Sequence, residues 1–334
     1  MTEQATWRSG RRVGVACLLA FVTIPVAHAI ELGLPLDCKM GQTCFVQNYV
    51  DHDPSAGVSD YRCGPLTYNG HDGTDFRVPT LAMQRRGVDV LAVADGQVLR
   101  MRDGVADISI SAPNAPSVAH QECGNGAVIA HADGWETQYC HMARGSLQVK
   151  PGDTVKAGQA IGQVGLSGKT EFPHVHLTVR QRGQVVDPFA FGAAEGSCAG
   201  GTSLWSAALR DSLSYRSPAV LNAGFAKGPM TMEQVEAGDH TDLRPGPEAP
   251  ALVAFVRAIG LRHGDVQHLS IVGPDDRIFV ERTETPLDRD KAQFLVFAGR
   301  KRPAEGLKPG DYRAIYTVTR DGKVVLQHSF ELSL

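Results

Sequence analysis

Five residues of this chain stand in spacings suited to metal or acid–base chemistry. In His71-Asp72-Gly73-Thr74-Asp75 an imidazole and a carboxylate lie four positions apart, so a turn can bring both toward one point. Alone, the same pattern also describes a surface turn closed by Asp bonding to backbone. Pro173-His174-Val175-His176-Leu177-Thr178-Val179 reads as a strand, in which alternation puts His174 and His176 on one face and Val175, Leu177 and Val179 on the other. Two neighbouring imidazoles in an apolar setting repel once both are protonated. A metal or a catalytic pair relieves that; two solvated histidines on an open face are the plain alternative. His141 closes the strand-like run Thr137-Gln138-Tyr139-Cys140-His141, and by itself such a histidine is more often packed than catalytic. His131, His240, His263, His268 and His328 have no companion pattern and receive no role.

The elements that must position these residues read as strands. Val90–Ala94 meets Asp95-Gly96, and Ala127–His131 meets Asp133-Gly134, each a hairpin signal because Asp-Gly tolerates positive φ. Val149–Val155 and Gly158–Gly162 continue the turn-rich pattern, so residues 91–179 are expected to form an antiparallel β core. Residues 193–203 are small, polar and Gly-rich, the composition of a linker. Beyond them, strand-like runs recur at 252–261, 269–272, 277–280, 293–298, 312–319 and 323–332. Leu307, Pro309-Gly310-Asp311 and Tyr312 resemble the tyrosine corner of immunoglobulin-like sandwiches. No cysteine follows Cys198, so the antibody-type bridge between sheets is absent.

The bulk composition fits this reading. With 334 residues, 43% hydrophobic and 21% charged, the chain is neither disordered nor a membrane bundle, and it is long enough for about two domains. Arg8, Arg11 and Arg12 precede an apolar run from Val13 to Ala27 that ends in Ala27-His28-Ala29, the form of a secretory signal. The run is shorter than a membrane span needs and contains Pro25, so no transmembrane segment is expected. Cys17 lies inside the apolar run, which disfavours lipidation. Cleavage after Ala29 leaves 30 basic and 35 acidic side chains, and no basic arm suggests nucleic acid. It also leaves six cysteines, read as disulfides in an exported chain, with no paired C-x-x-C to suggest a cysteine zinc knuckle. The acidic stretch Asp51-His52-Asp53 with Asp60 lacks the ligand pattern of an EF-hand and is expected to be a solvated, disulfide-pinned loop.

Taken together, His71 with Asp75, Tyr139-Cys140-His141, and His174 with His176 resemble, in that order, the motifs of the lysostaphin/LytM-type zinc endopeptidases. Ala92–Val98, the turn at Gly134, Gly152–Gln159 and Asp187-Pro188 agree with the same family, over roughly residues 65–190. The resemblance implies a duplicated-hybrid-motif catalytic domain of antiparallel sheet, with one zinc held by His71, Asp75 and His176 and a fourth position left for water. It implies that His141 and His174 are the non-ligand pair that orients or deprotonates the water and stabilises the tetrahedral intermediate, in an order the residues leave open. The implied substrate is the peptide of bacterial peptidoglycan, in the periplasm or outside the cell. A family member that has lost its metal and only activates another wall hydrolase is the nearest rival, and it would lack some of these ligands. The run Val149–Gln159 also resembles a biotinyl or lipoyl carrier barrel, but no Met-Lys pair stands where the modified lysine belongs.

The expected organisation is therefore a leader over 1–29, a disulfide-pinned segment over 30–64, the zinc peptidase domain over 65–192, a linker over 193–203 and an Ig-like β-sandwich over 204–334. A protein or wall partner is expected for the sandwich. Cys38 and Cys44 close a loop of a few residues, Cys123 and Cys140 flank one hairpin, and Cys63 and Cys198 remain; these are the expected pairs.

Overall fold

The computed structural model describes residues 1–2, 29–113, 115–194, 196–238 and 241–334. The leader expected over 1–29 falls outside the described residues except at its ends, as does His240.

The first body holds ten strands: β1 (Phe45–Asn48), β2 (Thr74–Arg77), β3 (Asp89–Leu91), β4 (Gly96–Arg102), β5 (Asn125–Ala130), β6 (Trp135–Met142), β7 (Thr154–Val155), β8 (Ala160–Gln163), β9 (His174–Gln181) and β10 (Gln184–Val186). A short helix α1 (Leu81–Arg85) follows β2, started by the Thr80 hydroxyl accepting from the Met83 amide. The main antiparallel sheet runs β1-β2-β9-β6-β5-β4-β7, with β10 paired to β9, while β3 and β8 form a separate ribbon. Its period-2 alternation is visible in β9, where Val175, Leu177 and Val179 are fully buried in the core beside Phe76, Ile129 and Tyr139. Each such side chain contributes about 1.5–3 kcal/mol by leaving water.

Sheet order explains how distant motifs meet. β2, β9 and β6 are neighbours, and their register sets Asp75 opposite His176, and His176 opposite Cys140. The Asp133-Gly134 turn joins β5 to β6 with both residues at positive φ, as expected. Asp95-Gly96, by contrast, does not close a hairpin. β3 pairs with β8 and β4 with β5 and β7, and the Asp95 carboxylate accepts from the Ala157 amide and Lys156 Nζ, both at 2.8 Å, tying β4 to the 156–159 turn.

The second body is a β-sandwich. One sheet is built of β11 (Ala219–Ala226), β12 (Ala251–Leu261) and β15 (Lys291–Lys301); the other has β13 (Val266–Val272), β14 (Ile278–Thr283), β16 (Asp311–Arg320) and β17 (Lys323–Ser333) in the order β14-β13-β16-β17. The six strand-like runs read beyond the Gly-rich stretch coincide with these strands, 277–280 beginning one residue ahead of β14; β11 corresponds to none of them. Helix α2 (Met232–Ala237) sits between β11 and β12, opened by a capping box of Thr231 and Gln234. The tyrosine-corner contact forms, with the Tyr312 hydroxyl donating to the Lys308 carbonyl at 3.1 Å.

Two expectations are corrected by packing. Leu204, Trp205 and Leu213 lie in the core of the first body, and Leu32 bridges Trp205, so the passage between bodies falls after Leu213 and not at 193–203. The segment around Asp60 is solvated only in part: Asp60 is buried, and its carboxylate accepts from the Arg62, Gly64 and Leu66 amides and the Tyr215 hydroxyl. The three disulfides are Cys38–Cys44, Cys63–Cys198 and Cys123–Cys140, as expected. Among the described residues, no helix is long and apolar enough to cross a membrane.

Candidate metal centre

All five residues singled out by spacing converge on one face of the main sheet. His71 Nε2, Asp75 Oδ1 and His176 Nδ1 approach one another closely, at 3.2 Å for His71 to Asp75, 3.0 Å for His176 to Asp75 and 3.1 Å between the two imidazole nitrogens. All three residues are buried, and their ligand atoms lie within 4.8 Å of one another, so the group could hold a metal ion.

Hydrogen bonds behind these atoms decide which nitrogens carry lone pairs. His71 Nδ1 lies 2.6 Å from the Tyr49 carbonyl, an acceptor only, so Nδ1 donates and Nε2 presents its lone pair forward. His176 Nε2 lies 3.2 Å from Asp72 Oδ1 and 3.1 Å from the Thr178 hydroxyl, which directs its Nδ1 forward in the same way. Asp75 Oδ2 accepts from Asn48 Nδ2 at 2.8 Å, leaving Oδ1 as the forward oxygen. Two lone pairs and a carboxylate oxygen facing one point form a donor set that could hold a cation. Gly73 lets the turn approach this closely: a Cβ there would stand 2.5 Å from His176 Nε2 and 2.8 Å from the Leu177 carbonyl.

The pull on positive charge also shows in the titrating groups. Burial favours a neutral Asp75, but His71, His174 and His176 outweigh it and hold the carboxyl well below the usual range. Burial likewise opposes a charged His176, yet its bonds to Asp72 and Asp75 outweigh burial and carry its pKa up to about 9. A proton or a metal ion would feel the same attraction.

His174 and His141 flank the donor set. His174 Nε2 is 3.3 Å from Asp75 Oδ1, while its Nδ1 donates to the Phe172 carbonyl at 2.9 Å. His141 Nδ1 donates to the Ser167 carbonyl at 2.8 Å, and its ring centroid lies 4.7 Å from that of His174. Burial, with help from His174 and His176, holds the His141 pKa well below the ordinary value. His141 also has φ of 63°, a left-handed backbone that costs a non-glycine residue about 1–3 kcal/mol. Its amide bonds the Cys123 carbonyl and its carbonyl accepts from the Gly165 amide, so neighbouring segments hold the strained residue in place. The Cys123–Cys140 bridge lies directly behind it.

Residues 69–188 match the model of Peptidase family M23. Over this segment, roughly a third of the chain, the sequence is similar to that peptidase family. Over 135 residues it is 32% identical to the peptidoglycan DD-endopeptidase ShyB of Vibrio cholerae, covering 40% of this chain and 26% of that protein. It is also 32% identical over 131 residues to the DD-carboxypeptidase/endopeptidase Mpg of Neisseria meningitidis, covering 38% of this chain and 24% of the other. The chain thus spans about a quarter of the length of these curated relatives. Among solved structures it is similar to the catalytic domain of the prophage-encoded M23 protein EnpA from Enterococcus faecalis, at 25% identity over 49% of this chain and 98% of that one, with a TM-score of 0.33. The matched M23 segment contains all five residues that converge here.

Spacing did not reveal the residues behind this site. Asn48, Asp72 and Thr170 hold Asp75, His176 and His174 through hydrogen bonds, and Tyr49, Ser167 and Phe172 contribute backbone carbonyls, which no side-chain pattern announces. Asp72 alone carried a local signal, since it lies inside the first motif.

Proposed function

We propose that this chain is an exported zinc metalloendopeptidase that hydrolyses amide bonds in peptidoglycan stem peptides or cross-links. The observation that carries the reading is the donor set itself: His71 Nε2, Asp75 Oδ1 and His176 Nδ1 face one point, and each side chain's other polar atom is already bonded behind it. Two nitrogens and one oxygen suit zinc, and three protein ligands leave a position open for catalysis. Zinc at such a site supplies Lewis acidity, polarising a carbonyl and making water nucleophilic near neutral pH.

The remaining steps belong to the protein's own side chains. His141 and His174 have their Nδ1 hydrogens bonded to carbonyls, so each neutral ring turns an Nε2 lone pair toward the site. Either can therefore take a proton from water as it attacks, and the protonated ring can then donate from Nε2 to the departing amine or the developing oxyanion. The ring of Tyr68, half exposed and 4.3 Å from that of His71, offers a wall against which a peptide can lie. The intact donor set supports this reading over a member that has lost its metal. Digestion of purified sacculi, with released muropeptides identified by mass spectrometry and a chelator-treated control, tests it. Zinc-loaded protein that releases no fragment would overturn it.

A further inference from the structure

The two bodies meet at a pair of buried arginines. Arg77, the last residue of β2, is 1% exposed; it donates to the Glu236 carboxylate at 2.8 Å and to Gln47 Oε1 at 3.0 Å. Arg257 of β12, 0% exposed, reaches the same carboxylate and the Pro79 carbonyl. Glu236 lies in α2, within the sandwich half of the chain. One carboxylate thus serves two desolvated guanidinium groups, an arrangement in which removing the anion leaves uncompensated buried charge.

Arg77 also bears on the metal centre. In the β2–β9 register it stands opposite His174. Its guanidinium carbon lies 4.4 Å from the centroid of the Phe172 ring, a cation–π distance. Phe172 in turn holds His174 twice, with its ring 4.6 Å from the imidazole centroid and its carbonyl accepting from Nδ1 at 2.9 Å. An unbroken series of contacts therefore runs from α2 to a ring at the site.

We propose that Glu236 is a positioning residue for His174, acting through Arg77 and Phe172, so that the C-terminal sandwich sets the geometry of one proton-handling side chain. The proposal rests on the reading of His174 given above. Without the Glu236 charge, Arg77 keeps only the neutral acceptors Gln47 and Gln293 and is drawn toward water, which removes the surface on which Phe172 rests.

The test uses the full chain with Glu236→Gln, Phe172→Leu, the double variant and His174→Ala. Each is measured for zinc stoichiometry, for kcat and KM on sacculi, and for the His174 Nδ1–H resonance by NMR. Glu236→Gln should keep zinc and KM, lower kcat roughly 10- to 100-fold through misplacement of His174, and shift or broaden that resonance. If the residues act in series, the double variant should be no slower than Phe172→Leu alone. Wild-type kcat with an unmoved resonance in folded Glu236→Gln would overturn the proposal, as would loss of zinc or multiplicative effects in the double variant. Should Glu236→Gln fail to fold, Phe172→Leu decides by the same two readouts. Full turnover in His174→Ala would instead remove the underlying reading of His174; a dead His174→Ala beside fully active Glu236→Gln and Phe172→Leu would leave that reading standing and defeat the relay.

Discussion

Replacing His141 separates its chemistry from its backbone. The residue is buried, sits at φ 63° and bonds the Ser167 carbonyl through Nδ1. Alanine removes the imidazole and keeps the left-handed backbone cost, about 1–2 kcal/mol, that the histidine already carries. Asparagine tolerates that region, so His141→Asn loses the imidazole while easing the backbone penalty. His141 is not in the donor set, and both variants should therefore hold zinc at wild-type stoichiometry. Turnover should fall by roughly 10² to 10⁴ if His141 moves a proton. The lower end is expected because the His174 ring, 4.7 Å away, can cover part of the same task. Replacing both histidines should then cost more than the product of the single losses, because neither ring is left to cover for the other. In contrast His71→Ala, Asp75→Ala or His176→Ala removes one of three ligands and should lose zinc together with activity. The assay is elemental analysis beside the rate of sacculus hydrolysis, with thermal melting to count the backbone cost. Full turnover in His141→Asn, or full zinc occupancy in His176→Ala, would refute the assignment of that residue.

Three further outcomes are expected. Removing the Cys63–Cys198 bridge, which spans 135 positions, should cost about 2–5 kcal/mol in urea unfolding, and an unchanged midpoint would count against its role. His52 is bonded to Asp187 at 2.8 Å, which raises its pKa against the opposing effect of burial; a raised folded pKa gives stability that is complete below the ordinary value of about 6.5 and is lost as pH climbs through the raised value. The melting-temperature gap between wild type and His52→Ala should therefore be wider below about pH 6 than above about pH 8, and an equal or reversed gap would dismiss the pair. Finally, a chain of residues 30–200 should fail to fold cooperatively, since it lacks the buried Leu204, Trp205 and Leu213; residues 30–217 should fold but turn over slowly, with near-ultraviolet circular dichroism and sacculus digestion as the measurements. Wild-type melting of the 30–200 chain would show that those core contacts are dispensable.

What could be read from sequence was what depends on near neighbours. The two histidines of β9 share a face because strands alternate, and the first motif closes on itself because Gly73 permits a tight approach, so both could be anticipated from a few consecutive residues. The Asp133-Gly134 turn is local in the same sense. Asp95-Gly96 has the same residue types and yet forms no hairpin: β3 before it pairs with β8, β4 after it with β5 and β7, and its carboxylate bonds the Ala157 amide 62 positions away. Turn chemistry is a local preference, and the distant strands available for pairing decide whether it closes a hairpin.

The packing around the Gly-rich stretch depends on distant contacts in a related way. Composition identified a stretch of small residues correctly, but a Gly-rich loop marks where the chain is exposed, not where a core ends; Trp205 re-enters the first core immediately after it. The junction itself is still less visible, since Arg77 and Glu236 are 159 positions apart and each, read alone, is an ordinary surface charge. Only when β2 and α2 are brought together do both arginines lose water and come to depend on one carboxylate. A division into independent modules was the natural reading of the one-dimensional pattern. The buried charge argues against it, because separating the bodies would leave Arg77 without Glu236 at the strand that carries Asp75 and faces His174.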